Sequence, residues 1–126
     1  MAYTDRAGVR GTLVSGATVA NGQYSAANAV LNADGRSYAA ITVESTQPCT
    51  LYVLGSGSAF SSSATGASAG EQLAVITGVP AAVTATSPDG VTYYVRISGY
   101  KYFLPMVYNG SGSSATVTIS YRTFDE

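Results

Sequence analysis

Between residues 38 and 122 apolar and polar side chains exchange places with a period of two, and no other feature constrains the chain as much. In "YAAITVES", Ala39, Ile41 and Val43 fall on one side, and Tyr38, Ala40, Thr42 and Glu44 on the other. "CTLYVLG" sets Cys49, Leu51 and Val53 against Thr50, Tyr52 and Leu54. A period of two sends alternate side chains to opposite faces of a strand, whereas a helix needs a period near 3.6. The intervening "STQP" predicts a turn and makes these two runs a hairpin. "EQLAVITG", "AAVTATS", "VTYYVRIS", "YFLPMVY" and "ATVTISYR" continue the pattern, with "GTLVSG" and "ATVANGQYS" before it. "SPDG", Ser87 to Gly90, has tight-turn chemistry, with proline presetting φ and glycine closing the turn. The sum is about eight to ten short strands, so the expected fold is all-β, an antiparallel β-sandwich or jelly-roll-like barrel. The one helix-like stretch, "SAANAVLNA", is too short to change that reading.

The 126 residues fit one domain with a real core. The expected organisation is an N-terminal arm over 1–10, then a single sandwich over 11–126 with a flexible Gly/Ser-rich loop at 55–70. Charged residues are only 10%, against roughly 25% in an average domain. A net charge of -1 offers no basic field, so neither nucleic acid nor a membrane surface is an expected partner. No apolar run approaches the ~18 residues of a spanning helix. The opening "MAYTDRAGVRGTLV" lacks the apolar stretch of an export signal, which predicts synthesis in the cytoplasm without Sec export. Cys49 is the only cysteine and is expected to be a buried thiol.

Histidine is absent, which removes the commonest general base and metal ligand. Asp34 and Asp89 each precede glycine in turn-like settings, where they cap local backbone. No phosphate loop, dinucleotide fingerprint, zinc spacing or serine elbow occurs. The expectation is a protein that is not an enzyme and has no catalytic, metal or cofactor residues. Asn109-Gly-Ser111 fits a glycosylation sequon but reads as turn chemistry.

The ten tyrosines suit contact surfaces, since each joins a large apolar body to a polar tip at low entropy cost. Tyr93 and Tyr94 must face opposite ways. Pro105 lacks an N–H, which predicts that "YFLPMVY" is an edge strand or carries a bulge. An exposed edge invites another chain, so Tyr100, Tyr102, Phe103 and Pro105 are interface candidates. Tyr3, Arg6 and Arg10 of the arm and Phe60 in the Gly/Ser-rich loop complete the set. In the final run Ala115, Val117, Ile119 and Tyr121 should meet the core, opposite Thr116, Thr118, Ser120 and Arg122.

Thr50-Leu51-Tyr52-Val53, the following Gly55 to Ser58, and Tyr108-Asn109-Gly110-Ser111 before an alternating last strand carry a resemblance. Over Tyr38 to Arg122 the chain resembles small β-sandwich virion proteins of tailed bacteriophages. That resemblance implies a non-enzymatic capsid decoration (cement) protein located in the virion. Its implied partners are itself, as a homotrimer, and the major capsid protein or another virion protein. A tail, neck or fibre-attachment component and a carbohydrate-binding module using exposed tyrosines are the alternatives.

Overall fold

A computed structural model of the chain describes residues 10–25, 31–33, 35–57, 71–79 and 91–125. These residues form β1 (Arg10–Val19), β2 (Gln23–Tyr24), β3 (Leu31–Asn32), β4 (Tyr38–Ser45), β5 (Cys49–Ser56), β6 (Glu71–Val79), β7 (Val91–Arg96), β8 (Tyr102–Asn109) and β9 (Ala115–Phe124). Among the described residues there is no helix. One sheet has four strands in the order β1-β9-β4-β7; the other has five, β2-β8-β5-β6 with β3 also on β8. Every pairing is antiparallel. β2 and β3 pair with opposite ends of β8, so they act as two halves of one interrupted strand. Counted that way, the two sheets have the strand order of a jelly roll.

The alternation explains the core. Ala39, Ile41 and Val43 of β4 and Ala115, Val117 and Ile119 of β9 face Leu51 and Val53 of β5 and Phe103 and Val107 of β8. Cys49 joins them as a buried free thiol. Tyr121 reaches in from β9, its ring 6.0 Å from that of Phe103 and nearly perpendicular to it.

The hairpin expected through "STQP" is an arch instead, and the connection between β8 and β9 is a second arch. β4 and β5 lie in different sheets, as do β8 and β9. Among the described strands only β5 and β6 are consecutive and directly paired. Each arch is held by short polar side chains. In the first, the Ser45 hydroxyl donates to the Gln47 carbonyl (2.6 Å), and the Cys49 thiol donates to the same oxygen (3.3 Å). In the second, Asn109 is fully buried. Its amide donates to the carbonyls of Val19 (2.8 Å) and Ser113 (2.7 Å). Its oxygen accepts from the Ser111 N–H (3.1 Å) and hydroxyl (2.7 Å). All four hydrogen-bonding positions of the side chain are thereby used.

Pro105 requires a correction. It is buried and pairs with Val53 in β8, an inner strand flanked by β5 on one side and by β2 and β3 on the other. The β8–β5 register is continuous through it, with no bulge. The Val107 carbonyl accepts from the Ser25 N–H and the Val107 N–H donates to the Ser25 hydroxyl, so both groups point towards the β2 side. Pro105, two residues earlier, turns its nitrogen the same way, into the interval between β2 and β3. The missing donor therefore costs no bond to β5.

Several boundaries also move. Arg10, expected in the arm, begins β1 opposite Arg122. Gly55 and Ser56, expected in the loop, complete β5. "GTLVSG" and the start of "ATVANGQYS" merge into β1, and Leu31–Asn32 of the helix-like stretch form β3. "AAVTATS" and "SPDG" lie outside the described residues.

Candidate functional site

The described interface candidates read from the sequence do not converge on one patch. Tyr3, Arg6 and Phe60 lie outside the described residues. Phe103 is fully buried in the core and Pro105 is buried in β8, so neither presents a surface to a partner. Tyr100 is half-buried, its ring seated against Gly55: a Cβ there would lie 2.9 Å from the ring. Tyr102 is half-buried on the outer face of the five-stranded sheet, beside Leu54, Leu104 and Met106, with the Lys101 ammonium 5.5 Å from its ring centre. Of the described candidates Arg10 alone is exposed, on the outer face of the four-stranded sheet.

That outer face holds the strongest candidate site, and the strand register builds it. One row across the sheet reads Arg10, Arg122, Ala40, Tyr94, and the next reads Thr12, Ser120, Thr42, Thr92. A third row, on the other side of the first, holds Phe124, Tyr38 and Arg96. Ala40 is short and sits between Arg122 and Tyr94, so the face dips there. The depression has a volume of about 480 Å³, with the two arginines on one side and Tyr94 and Thr92 on the other. Tyr94 is 68% exposed, a large value for an aromatic ring on a strand.

Phe124 organises both walls. Its ring packs edge-on with Tyr94 at 6.1 Å and stacks on Tyr38 at 5.6 Å. The Arg122 guanidinium lies 5.3 Å from its centre, within cation–π range. The Thr42 and Thr92 hydroxyls bond to each other at 2.7 Å. Among the described residues the one ion pair is Arg36–Asp125 (3.1 Å), so no described carboxylate neutralises Arg10, Arg96 or Arg122.

Asp125 itself ties the chain end to the strand β4 start. Partial burial pushes its carboxyl up, but the Ser37 N–H, the Arg36 guanidinium and the Ser37 side chain outweigh that and hold it below its ordinary value.

The sequence signal for Tyr94 was the Tyr93–Tyr94 pair, one of which had to face out. Arg122, Thr12, Thr42, Thr92 and Ser120 carry no local signal; they become a site only because β1, β9, β4 and β7 are neighbours. Among the described residues no group of three His, Cys, Asp or Glu side chains could hold a metal ion. No helix among them is long and apolar enough to cross a membrane. No protein family, no curated protein and no solved structure matches the chain.

Proposed function

We propose that the chain is a non-enzymatic structural protein of a tailed-phage virion, a capsid decoration protein that assembles as a homo-oligomer along β7 and binds the shell. The observation that carries this reading is the regularity of β7 beside the exposed Tyr94. β1 and β6 are also outer strands, and each is interrupted by two register shifts. In β1 the second shift, between Val14 and Ala17, contains Gly16, whose φ of 60° lies in the left-handed region. Bulges of this kind blunt a sheet edge against strand addition. β7 pairs with β4 through six successive residues without a shift.

The Ile97 N–H donates to the Ser37 carbonyl on the β4 side. By alternation, the backbone groups of Thr92, Tyr94 and Arg96 point away from β4. Among the described residues no strand takes them up. Strand addition at such an edge supplies backbone bonds, and the adjoining Tyr94 adds contact area. Many copies on a repetitive lattice make modest contacts sufficient. The resemblance over Tyr38 to Arg122 supports the same reading, as does the occurrence of jelly rolls in viral capsids, an analogy of fold alone.

The test is light scattering on the purified chain together with co-sedimentation on immature and expanded shells of its phage. The expected result is an oligomer that binds expanded shells, and both properties are lost in Thr92→Pro, which removes an outward N–H and leaves the β4 ladder intact. A monomer with affinity for neither shell would refute the proposal.

A further inference from the structure

The arginine pair on the outer face requires an explanation that assembly along β7 does not supply. Arg10 and Arg122 are directly opposite in the β1–β9 register, and both are exposed. Opposed residues on one face have Cβ atoms about 4.5–5.5 Å apart, and like charges so placed destabilise a sheet. The described carboxylate nearest along this face is Glu44, four residues up β4 from Ala40, hence about 13 Å away at about 3.3 Å per residue. Glu44 borders a separate, smaller depression with Thr116 and Thr118. The chain keeps two cations in contact range where a bound anion would relieve the repulsion.

The rest of the depression restricts what that anion is. Across Ala40, two strand spacings or about 10 Å from Arg122, stands Tyr94. Between and beside them runs the row of Thr12, Ser120, Thr42 and Thr92. Each hydroxyl is both donor and acceptor. The Thr42–Thr92 bond uses one proton and leaves the other hydroxyl hydrogen and further lone pairs for a ligand. The volume, about 480 Å³, lies in the range of small-molecule sites. Phe124 touches both Tyr94 and Arg122, so the two walls are held in place before any ligand arrives.

We propose that this depression binds a carboxylated saccharide, with the carboxylate on the Arg10–Arg122 pair, the sugar ring against Tyr94 and its hydroxyls on the Thr/Ser row. Arginine forks match a carboxylate by paired hydrogen bonds. The flat apolar face of a pyranose suits a tyrosine ring, and its vicinal hydroxyls need partners that both donate and accept. An acidic peptide would also satisfy the arginines, and its amides can bond the hydroxyl row, but it brings no pyranose face to Tyr94. Tyr94 and Thr92 border both this site and the β7 edge, but its charged wall, on β1 and β9, lies at the opposite side of the sheet and is not part of that edge.

The test is calorimetric titration of the full chain with trigalacturonate, its methyl ester, a tri-glutamate peptide and inorganic phosphate. Saturable binding of trigalacturonate is expected, at least tenfold tighter than that of the ester and of the peptide, weakening as salt rises. Arg122→Gln and Tyr94→Ala should each weaken it at least tenfold with an unchanged melting temperature, while Lys101→Gln, just before β8 of the other sheet, leaves it intact. Arg10→Gln provides a second arginine variant should Arg122→Gln lower the melting temperature. The proposal is overturned if trigalacturonate does not saturate, if ester, peptide or phosphate binds as tightly, or if the arginine and tyrosine variants bind like the parent. Loss of saccharide binding in Arg122→Gln with oligomer and shell binding retained would separate this site from the assembly surface.

Discussion

The outer faces of the two sheets derive from the same period-two pattern and end in opposite states. On the four-stranded sheet the outward positions include Thr12, Thr42, Thr92, Ser120, Arg10, Arg122 and Tyr94, which line a depression open to water or a ligand. On the five-stranded sheet the outward positions of β5 and β8 include Leu54, Leu104 and Met106, all fully buried, with Tyr24, Tyr52 and Tyr102 packed around them. The Tyr24 ring lies 4.9 Å from that of Tyr108 and 6.0 Å from that of Tyr52. Leu13, at a register shift of β1, packs against both this cluster and the main core. A strand with both faces buried needs apolar residues at every position, and "FLPMV" supplies them; a strand with one wet face alternates, as "ATVTIS" does. One sheet thus contributes stability from both sides, and the other is free to use one side for binding.

The contrast breaks most readily at Leu104. Leu104→Ala should lower unfolding free energy by about 2–5 kcal/mol, because a cavity opens in a buried cluster. Thr42→Ala, at an outward position of the other sheet, should stay within about 0.5 kcal/mol, and parallel urea titrations compare the two. Equal losses would mean that the two outer faces are not different in kind.

The arch joining the sheets comes next. Asn109→Ala strips four hydrogen bonds and leaves the carbonyls of Val19 and Ser113 without that donor, a loss of about 2–3 kcal/mol in the same titration. Gly55→Ala is expected to cost about 1–3 kcal/mol by overpacking. Its Cβ would lie 2.8 Å from Leu73 and 2.9 Å from the Tyr100 ring, and a fall in tyrosine near-ultraviolet dichroism should accompany the loss.

The smallest effect belongs to Asp125, at the rim of the open sheet. Its folded value is depressed, so its contribution is complete above the unfolded value of about 3.9 and disappears as pH falls through the lower folded value. Melting temperature followed from pH 6 to pH 2 should therefore fall less steeply below about pH 4 in Asp125→Asn than in the parent.

Much of this was legible in the residues. The facing of β4, β5 and β9 follows from spacing alone, as does the outward position of one of the Tyr93–Tyr94 pair. Pro105 misled for a physical reason. Proline is excluded from ladders only where its nitrogen must donate, and whether it must depends on which neighbour lies on that side. Here the nitrogen turns to the interval between β2 and β3, so the residue is central and tolerated at once. The first arch misled likewise, since "STQP" contains turn residues whether the chain reverses within a sheet or crosses to the other, as "YNGSGSS" also does.

By itself the sequence determined that the chain is all-β and which side chains share a face of each strand, because a strand's period of two is a local property of the backbone. Tertiary structure decided which strands are neighbours, and with them the rows that make the Arg10–Arg122–Tyr94 depression and the regular edge at β7. Ladder hydrogen bonds join N–H and C=O groups that are the same at nearly every residue, so they cannot select a partner strand. That selection comes from burying one particular set of apolar faces together, with Asn109 and Ser45 holding the crossings between sheets.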